Sequence, residues 1–330
     1  MQDGLYGGIP QELNFKEREE MISCRKTWPL CWGWLLVVLG VNGPAWGLQS
    51  LHLQLARFDN RTDAEQAYSD LRAGKSFQLL AEQWAPEGLK ETKGYPGEVV
   101  PERLSNQVRK VLLGLRPGES SPLVAVQEAW FLFKVLDPGE ASGYRTEQES
   151  AFFHLERGVL LGELGDAQGE LEAYRRAVLL DSGLAAAHVN LGEALRRQAM
   201  LILEKAGRDL PEAQARTATE LLDEAIDEFK TAIGLDNKLW EAHFNLGLAY
   251  AAQGLLDLTV LEFQEAVAIR PESGELHRSL ALALLMRERP AEALVHAERA
   301  KELGVEVGDI LKRIRNRTEG KSPLQKKEKR

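Results

Sequence analysis

Cysteine is nearly absent from this 330-residue chain: Cys24 and Cys31 are the only two, and both precede residue 47. A disulfide scaffold and a zinc-ribbon fold are thereby excluded. Basic charge is also in deficit, with 41 Lys and Arg against 50 Asp and Glu. Nucleic-acid binders carry a basic face, so nucleic acid is not an expected partner. Aromatic residues make up only 7%, and four of the seven tryptophans (Trp28, Trp32, Trp34, Trp46) lie in the first 47 residues. No phosphate-cradling glycine loop and no metal-ligand spacing is present, so no cofactor and no metal is expected. With 44% hydrophobic and 28% charged residues, the chain fits neither disorder nor a polytopic membrane protein. What remains is a chain long enough for about two domains, each with its own core.

The negative charge is unevenly spread. Residues 1–47 carry net −1 and the tail 316–330 carries net +4, so the total of −9 conceals −12 on the body between them. From Trp28 to Val41 the chain reads WPLCWGWLLVVLGV, preceded by Arg25-Lys26 and ended by Asn42-Gly43-Pro44. A positive start, a short apolar stretch and small residues near Gly47 make residues 1–47 a signal peptide or a retained N-terminal anchor. The run is shorter than the ~20 residues of a membrane span, while its tryptophans suit a membrane interface. Met21 offers an alternative start just ahead of Arg25. In either case the rest of the chain is expected to be exported, to the periplasm, with membrane association through this segment in the anchored case. Asn316 to Arg330 lacks apolar periodicity and is expected to be a disordered basic tail.

Residues 48–140 alternate strand and helix signals, an α+β order. Leu51 to Phe58 has the period-two pattern of a strand. Helical segments follow from Thr62, taken as N-cap, to Ala73, from Phe77 to Trp84, and from Asn106 to Leu115. The apolar run Ala129 to Leu136 reads as a central strand. The pieces DAEQAYSDLRAGKSFQLLAEQWA, VVPERL, LGLRPGESSPLV and WFLFKVLD together resemble the parvulin-type (PpiC/SurA-like) peptidyl-prolyl isomerases over residues 51–137. The resemblance implies an apolar proline pocket and a polar network with two histidines. It places Phe131 where the second histidine belongs, and Gln54 or Leu55 where the first belongs. His52 lies two or three places early, and Arg103 stands where a pocket phenylalanine is expected. The loop that carries the family's Cys or Asp and its Gly-Gly-Asp-Leu-Gly stretch is Ala85 to Glu98 here, without those residues. His52 and Gln54 are therefore the remaining catalytic candidates; His52 is read as a partly exposed strand histidine unless the strand bulges.

Residues 150–307 are organised by a repeat. Gly158 and Gly192 are 34 residues apart, and so are Gly247 and Ala281. With Tyr174, Ala177, Phe229, Ala232, Phe263, Ala266 and Pro271 at matching places, this resembles the tetratricopeptide (TPR) family. The resemblance implies an all-α superhelix of four helix–turn–helix repeats whose inner face binds peptides. Glu170 stands where the first repeat usually has alanine, which puts tight packing there in question. The second repeat is 21 residues too long, the excess lying near 199–222 as a helical hairpin broken between Gly207 and Pro211. This is either a solvated extension or a partner-specific arm with Leu201, Ile202 and Leu203 as its apolar contact. His154, His188, His243 and His277 each lie four residues before their anchor; a packing or hydrogen-bonding role is expected, since stacked repeats keep such positions apart. Asn190 and Asn245, two residues before their anchors, are the candidate peptide-binding residues.

These features point to an exported interaction scaffold or chaperone-like peptide binder with protein or peptide partners. The alternative is an active prolyl isomerase whose repeats recruit its clients. The sequence does not name the partner or the oligomeric state.

Overall fold

The computed structural model describes residues 50–141, 143, 150–206 and 211–319; residues 1–47 and the end of the tail therefore lie outside it. Strand β1 (Leu51–Phe58) is followed by helices α1 (Arg61–Arg72) and α2 (Phe77–Trp84), short strand β2 (Glu98–Val99) and helix α3 (Asn106–Leu113). Strands β3 (Val124–Val126) and β4 (Ala129–Val135) close the sheet. The order is β2-β1-β4-β3 and every pairing is antiparallel, so the two long strands sit at the centre. Asn60, not Thr62, caps α1, its side chain accepting the Asp63 backbone N–H at 3.0 Å. Both residue types cap well, and the one nearer the strand end takes the place.

Alternation along β1 gives the sheet two apolar faces. Ala56 and Phe58 pack with Leu132 of β4 against Ala64, Ala67, Phe77, Leu80 and Ala81 of α1 and α2. Leu53 and Leu55 face the other way with Phe131 and Phe133, and cluster with Val108 and Leu112 of α3. That second face is also covered by the first repeat, through Leu160, Leu161 and Leu164.

After the short helix α4 (Pro138–Ala141) come α5 (Ala151–Leu164), α6 (Ala167–Leu180), α7 (Ala185–Ala206) and α8 (Glu212–Leu235). Helices α9 (Trp240–Ala252), α10 (Leu256–Ile269), α11 (Gly274–Met286) and α12 (Pro290–Glu302) continue the series in antiparallel pairs. Close approach inside a pair requires a missing side chain. A Cβ on Gly158 would fall 2.3 Å from the Tyr174 ring, on Gly192 2.7 Å from Phe229, and on Gly247 2.6 Å from Phe263. The fourth pair reverses the arrangement: Ala281 takes the glycine position, and buried Ala297 takes the aromatic one.

Glu170 does not loosen the first repeat. It is buried, and it fits because Gly162 opposite has no side chain; a Cβ there would lie 2.7 Å from its Oε1. Arg197 of α7 pairs with its carboxylate. At the far end, α13 (Gly308–Glu319) adds Ile310 and Ile314 to the core of the last repeat. Arg317 of this helix donates to the Leu285 carbonyl at 2.9 Å. Asn316 to Glu319, assigned to the tail by their lack of periodicity, are thus the last turn of a helix. The basic residues from 320 onward lie outside the described residues.

Candidate functional site

The two positions offered by the isomerase resemblance, Gln54 and Leu55, lie on opposite faces of β1. Arg57 pairs with Phe131 and Leu55 with Phe133, so Leu55 shares a face with Phe131 and Gln54 points to the opposite one. Phe131 is fully buried and stacks on Phe133, with ring centroids 5.7 Å apart. Over this face lies α5. Arg57 of β1 makes a two-bond pair with Glu163 of α5, Nε at 3.0 Å and Nη2 at 2.8 Å, a geometry that fixes orientation as well as charge. Ser105 donates its backbone N–H to the Leu164 carbonyl at 2.8 Å, satisfying one of the free carbonyls at the end of α5. Gly165 turns the chain there with φ of 91°, and any Cβ on it would fall 2.9 Å from the Ser105 nitrogen.

The other positions of interest in the module are also turned toward the repeats. Arg103 lies 3.5 Å from the Glu172 carboxylate of α6. Within Ala85 to Glu98, buried Leu89 joins the cluster with α5, and the Glu98 carbonyl accepts from Arg157 at 3.1 Å. The remaining catalytic candidates, His52 and Gln54, contact the same Ala85 to Glu98 segment from β1. The partly exposed His52 holds the Tyr95 hydroxyl at 2.8 Å through Nδ1, and its Nε2 is 3.9 Å from Glu98 across the strand pair. Gln54 is fully buried; its amide donates to the Lys93 carbonyl at 2.8 Å, and its Oε1 has no hydrogen-bond partner among the described residues. Gly94, at φ of 77°, holds this loop against β1: a Cβ there would lie 2.3 Å from the Leu55 carbonyl oxygen.

In the repeats, α7 and α9 pack against each other as the first helices of successive pairs. Asn190 is half-buried on α7 and Asn245 is buried on α9. Arg196 reaches the Asn245 side-chain oxygen at 3.5 Å. Burial, helped by the nearby Arg197 and opposed by Glu193, pulls the Arg196 guanidinium below its ordinary pKa. On the hairpin, Leu201 is exposed, whereas Ile202 and Leu203 pack on Ala199, Ala218 and Leu222. Of the three, only Leu201 is therefore exposed, with about half of its surface (48%) outward. Residues 207–210, where the hairpin turns, lie outside the described residues.

The repeated histidines reach across their own helix pairs. His188 Nδ1 meets Glu228 of α8 at 2.5 Å and its Nε2 meets the Ser182 carbonyl at 3.0 Å. His243 Nδ1 meets Glu262 of α10 at 2.8 Å. His277 meets a second histidine, His296 of α12, at 3.0 Å. Each partner directly precedes the residue at the aromatic position (Phe229, Phe263 or Ala297), a spacing that the sequence itself carries.

Comparison with known proteins agrees with this division. The PPIC-type PPIASE domain family matches residues 52–137, and a TPR repeat family matches residues 214–254. No curated protein matches the chain. Among solved structures, a thermophilic TPR protein of Thermus thermophilus is similar with 19% identity and a TM-score of 0.42, over 55% of this chain and 86% of that one. A MamA structure from Desulfovibrio magneticus is similar with 20% identity and a TM-score of 0.40, over 51% and 85%.

Proposed function

We propose that this chain, a PPIC-type domain followed by tetratricopeptide repeats, is an exported scaffold that holds peptides or partner subunits and does not catalyse prolyl isomerisation. One observation carries the reading: the residues standing where the family keeps its chemistry form the joint between the two parts. Phe131 is buried beneath α5, Arg103 faces Glu172, and the segment from Ala85 to Glu98 packs on α5. An X–Pro bond crosses a barrier of ~18–20 kcal/mol, and lowering it needs an open apolar pocket with polar groups aimed at the twisted amide. Here that face is filled by leucines of the same chain. The module then serves as a rigid first layer for the repeats, and Asn190 and Asn245 offer amides to an extended peptide backbone. The leader-like residues 1–47 support export, for which a mature N-terminus at Leu48 is the mark.

A prolyl-peptide assay on the full chain tests this. The expected rate equals that of the uncatalysed reaction. The competing reading draws on the His52–Tyr95–Glu98 network, which borders the joint at Glu98. Catalysis that disappears in His52→Ala or Gln54→Ala would establish an isomerase and overturn the proposal.

A further inference from the structure

The seam between the module and α5 encloses a cleft of about 390 Å³. Trp84 and Pro86 line it from the module, and Val159 and Glu156 line it from α5. Trp84 rests on Phe58, ring centroids 5.1 Å apart, and is only partly buried. The cations of the cleft already have partners: Arg57 is held by Glu163 and Asp59, and Lys90 by Glu87. Glu156 is half-buried and makes no hydrogen bond or ion pair among the described residues. Burial pushes its carboxyl above the ordinary carboxylate range; Arg57 opposes this, and Glu163 and Glu87 add to it. A carboxylate removed from water without a partner is costly, and a cation brought in from outside relieves that cost.

Position in the repeat says where such a cation comes from. Glu156 precedes Gly158 by two residues, as Asn190 precedes Gly192 and Asn245 precedes Gly247. It therefore continues the row of first-helix residues that the peptide-holding reading assigns to the binding face. We propose that the cleft is a specificity pocket that receives an arginine side chain of an extended peptide bound along that row. The inference rests on the peptide-holding reading. Arginine suits the cleft better than lysine, because its planar guanidinium can lie on the Trp84 ring while pairing with a carboxylate. Its aliphatic stem matches Val159 and Pro86.

The test uses the full chain and two kinds of probe. Nα-acetyl-arginine amide, and its neutral isostere Nα-acetyl-citrulline amide, are titrated while the Trp84 indole N–H is followed by NMR, assigned with Trp84→Phe. A peptide array with each position fixed in turn is probed in parallel. Saturable movement of the Trp84 signal by the arginine compound is expected, with affinity about tenfold weaker for citrulline and in Glu156→Gln, as loss of one charge-assisted contact implies. On the array, arginine is enriched at one position, and Glu156→Gln abolishes the enrichment. Affinity falls as Glu156 is protonated, beginning above the ordinary carboxylate range; Asp59, Glu87, Glu163, Arg57 and Lys90 are the charged groups facing it. Equal affinity for both amides in the unmodified chain overturns the pocket, whatever the folding of the variant. Peptides captured without basic preference also overturn it but uphold the groove. A blank array with the arginine amide still bound upholds the pocket and overturns the groove, and silence of both probes overturns both.

Discussion

The module and the repeats resemble their families in opposite ways. In the repeats the positions that make the fold are kept, and where one changes its partner changes with it. Gly162 makes room for Glu170, and Ala281 faces Ala297 where other pairs set glycine under an aromatic ring. In the module the fold is kept, while the positions that carry the family's chemistry now hold the two parts together. Packing constraints act pairwise and can be met by exchange. The positions that the resemblance assigns to the chemistry show no such exchange: Phe131, set by the resemblance at a histidine position, shares a buried cluster with Leu160, Leu161 and Leu164 of α5.

The sharpest way to break this comparison is to open the joint. Leu160 is almost fully buried in the cluster shared by β1, β4 and α5. Leu160→Ala is expected to cost ~2–5 kcal/mol, the range for a buried leucine truncated in a core that cannot collapse. If the module is the first layer of the repeats, urea unfolding followed separately by near-UV and far-UV signals is coincident in the unmodified chain, and both midpoints fall in the variant. Loss confined to the module, with the repeats untouched, would show instead that the joint is a mere contact.

The pairwise exchange inside the repeats is the next test. Gly247→Ala places a methyl 2.6 Å from the Phe263 ring and is expected to cost ~1–3 kcal/mol by overpacking. Phe263→Ala alone leaves a cavity and costs ~3–5 kcal/mol. Together the two changes reproduce the Ala281–Ala297 arrangement, so the second should cost less in the presence of the first. A double-mutant cycle by chemical denaturation should give a coupling of ~1 kcal/mol or more.

Much of this was legible in sequence, and the exceptions share a cause. Strands β1 and β4 announce themselves by alternation, and the helix pairs by their 34-residue spacing. Strands β2 and β3 do not, because two or three residues are too few for a period and pairing alone defines them. The histidines were visible at their fixed place, but their carboxylate partners stand 40 and 19 residues away, on the returning helix. Glu170 looked like a misfit because Gly162, its counterpart, sits on another helix. The joint was hidden for a plainer reason. A buried Phe131 gives the same strand pattern whether its own module or the first repeat covers it, and Arg57 and Glu163 pair across 106 residues. What one element asks of another was not readable where the request crosses the fold.

The smallest expected effect separates the last repeat from the two before it. His188 and His243 each face a carboxylate, whereas His277 faces His296. The Pro271 carbonyl takes the Nε2 proton of His277, which leaves its Nδ1 to accept from His296 Nδ1. That exchange suits two neutral rings. Burial first, and then the nearness of His277, hold His296 below its ordinary pKa of 6.5, with Glu292 opposing. A histidine whose pKa is depressed on folding binds fewer protons in the folded state than in the unfolded one. Its contribution is fully present above the unfolded value and is lost as pH falls from there through the folded value. The C-terminal repeat is therefore expected to lose protection against hydrogen exchange as the pH drops below about 6.5, with the first repeats unaffected by this pair. His296→Glu would give His277 the carboxylate partner that its counterparts have. It should remove the acid-side loss between pH ~7 and ~5, since a new glutamate near its ordinary pKa titrates below that window. An undiminished loss in His296→Glu would mean that the acid sensitivity of the last repeat does not originate in the histidine pair.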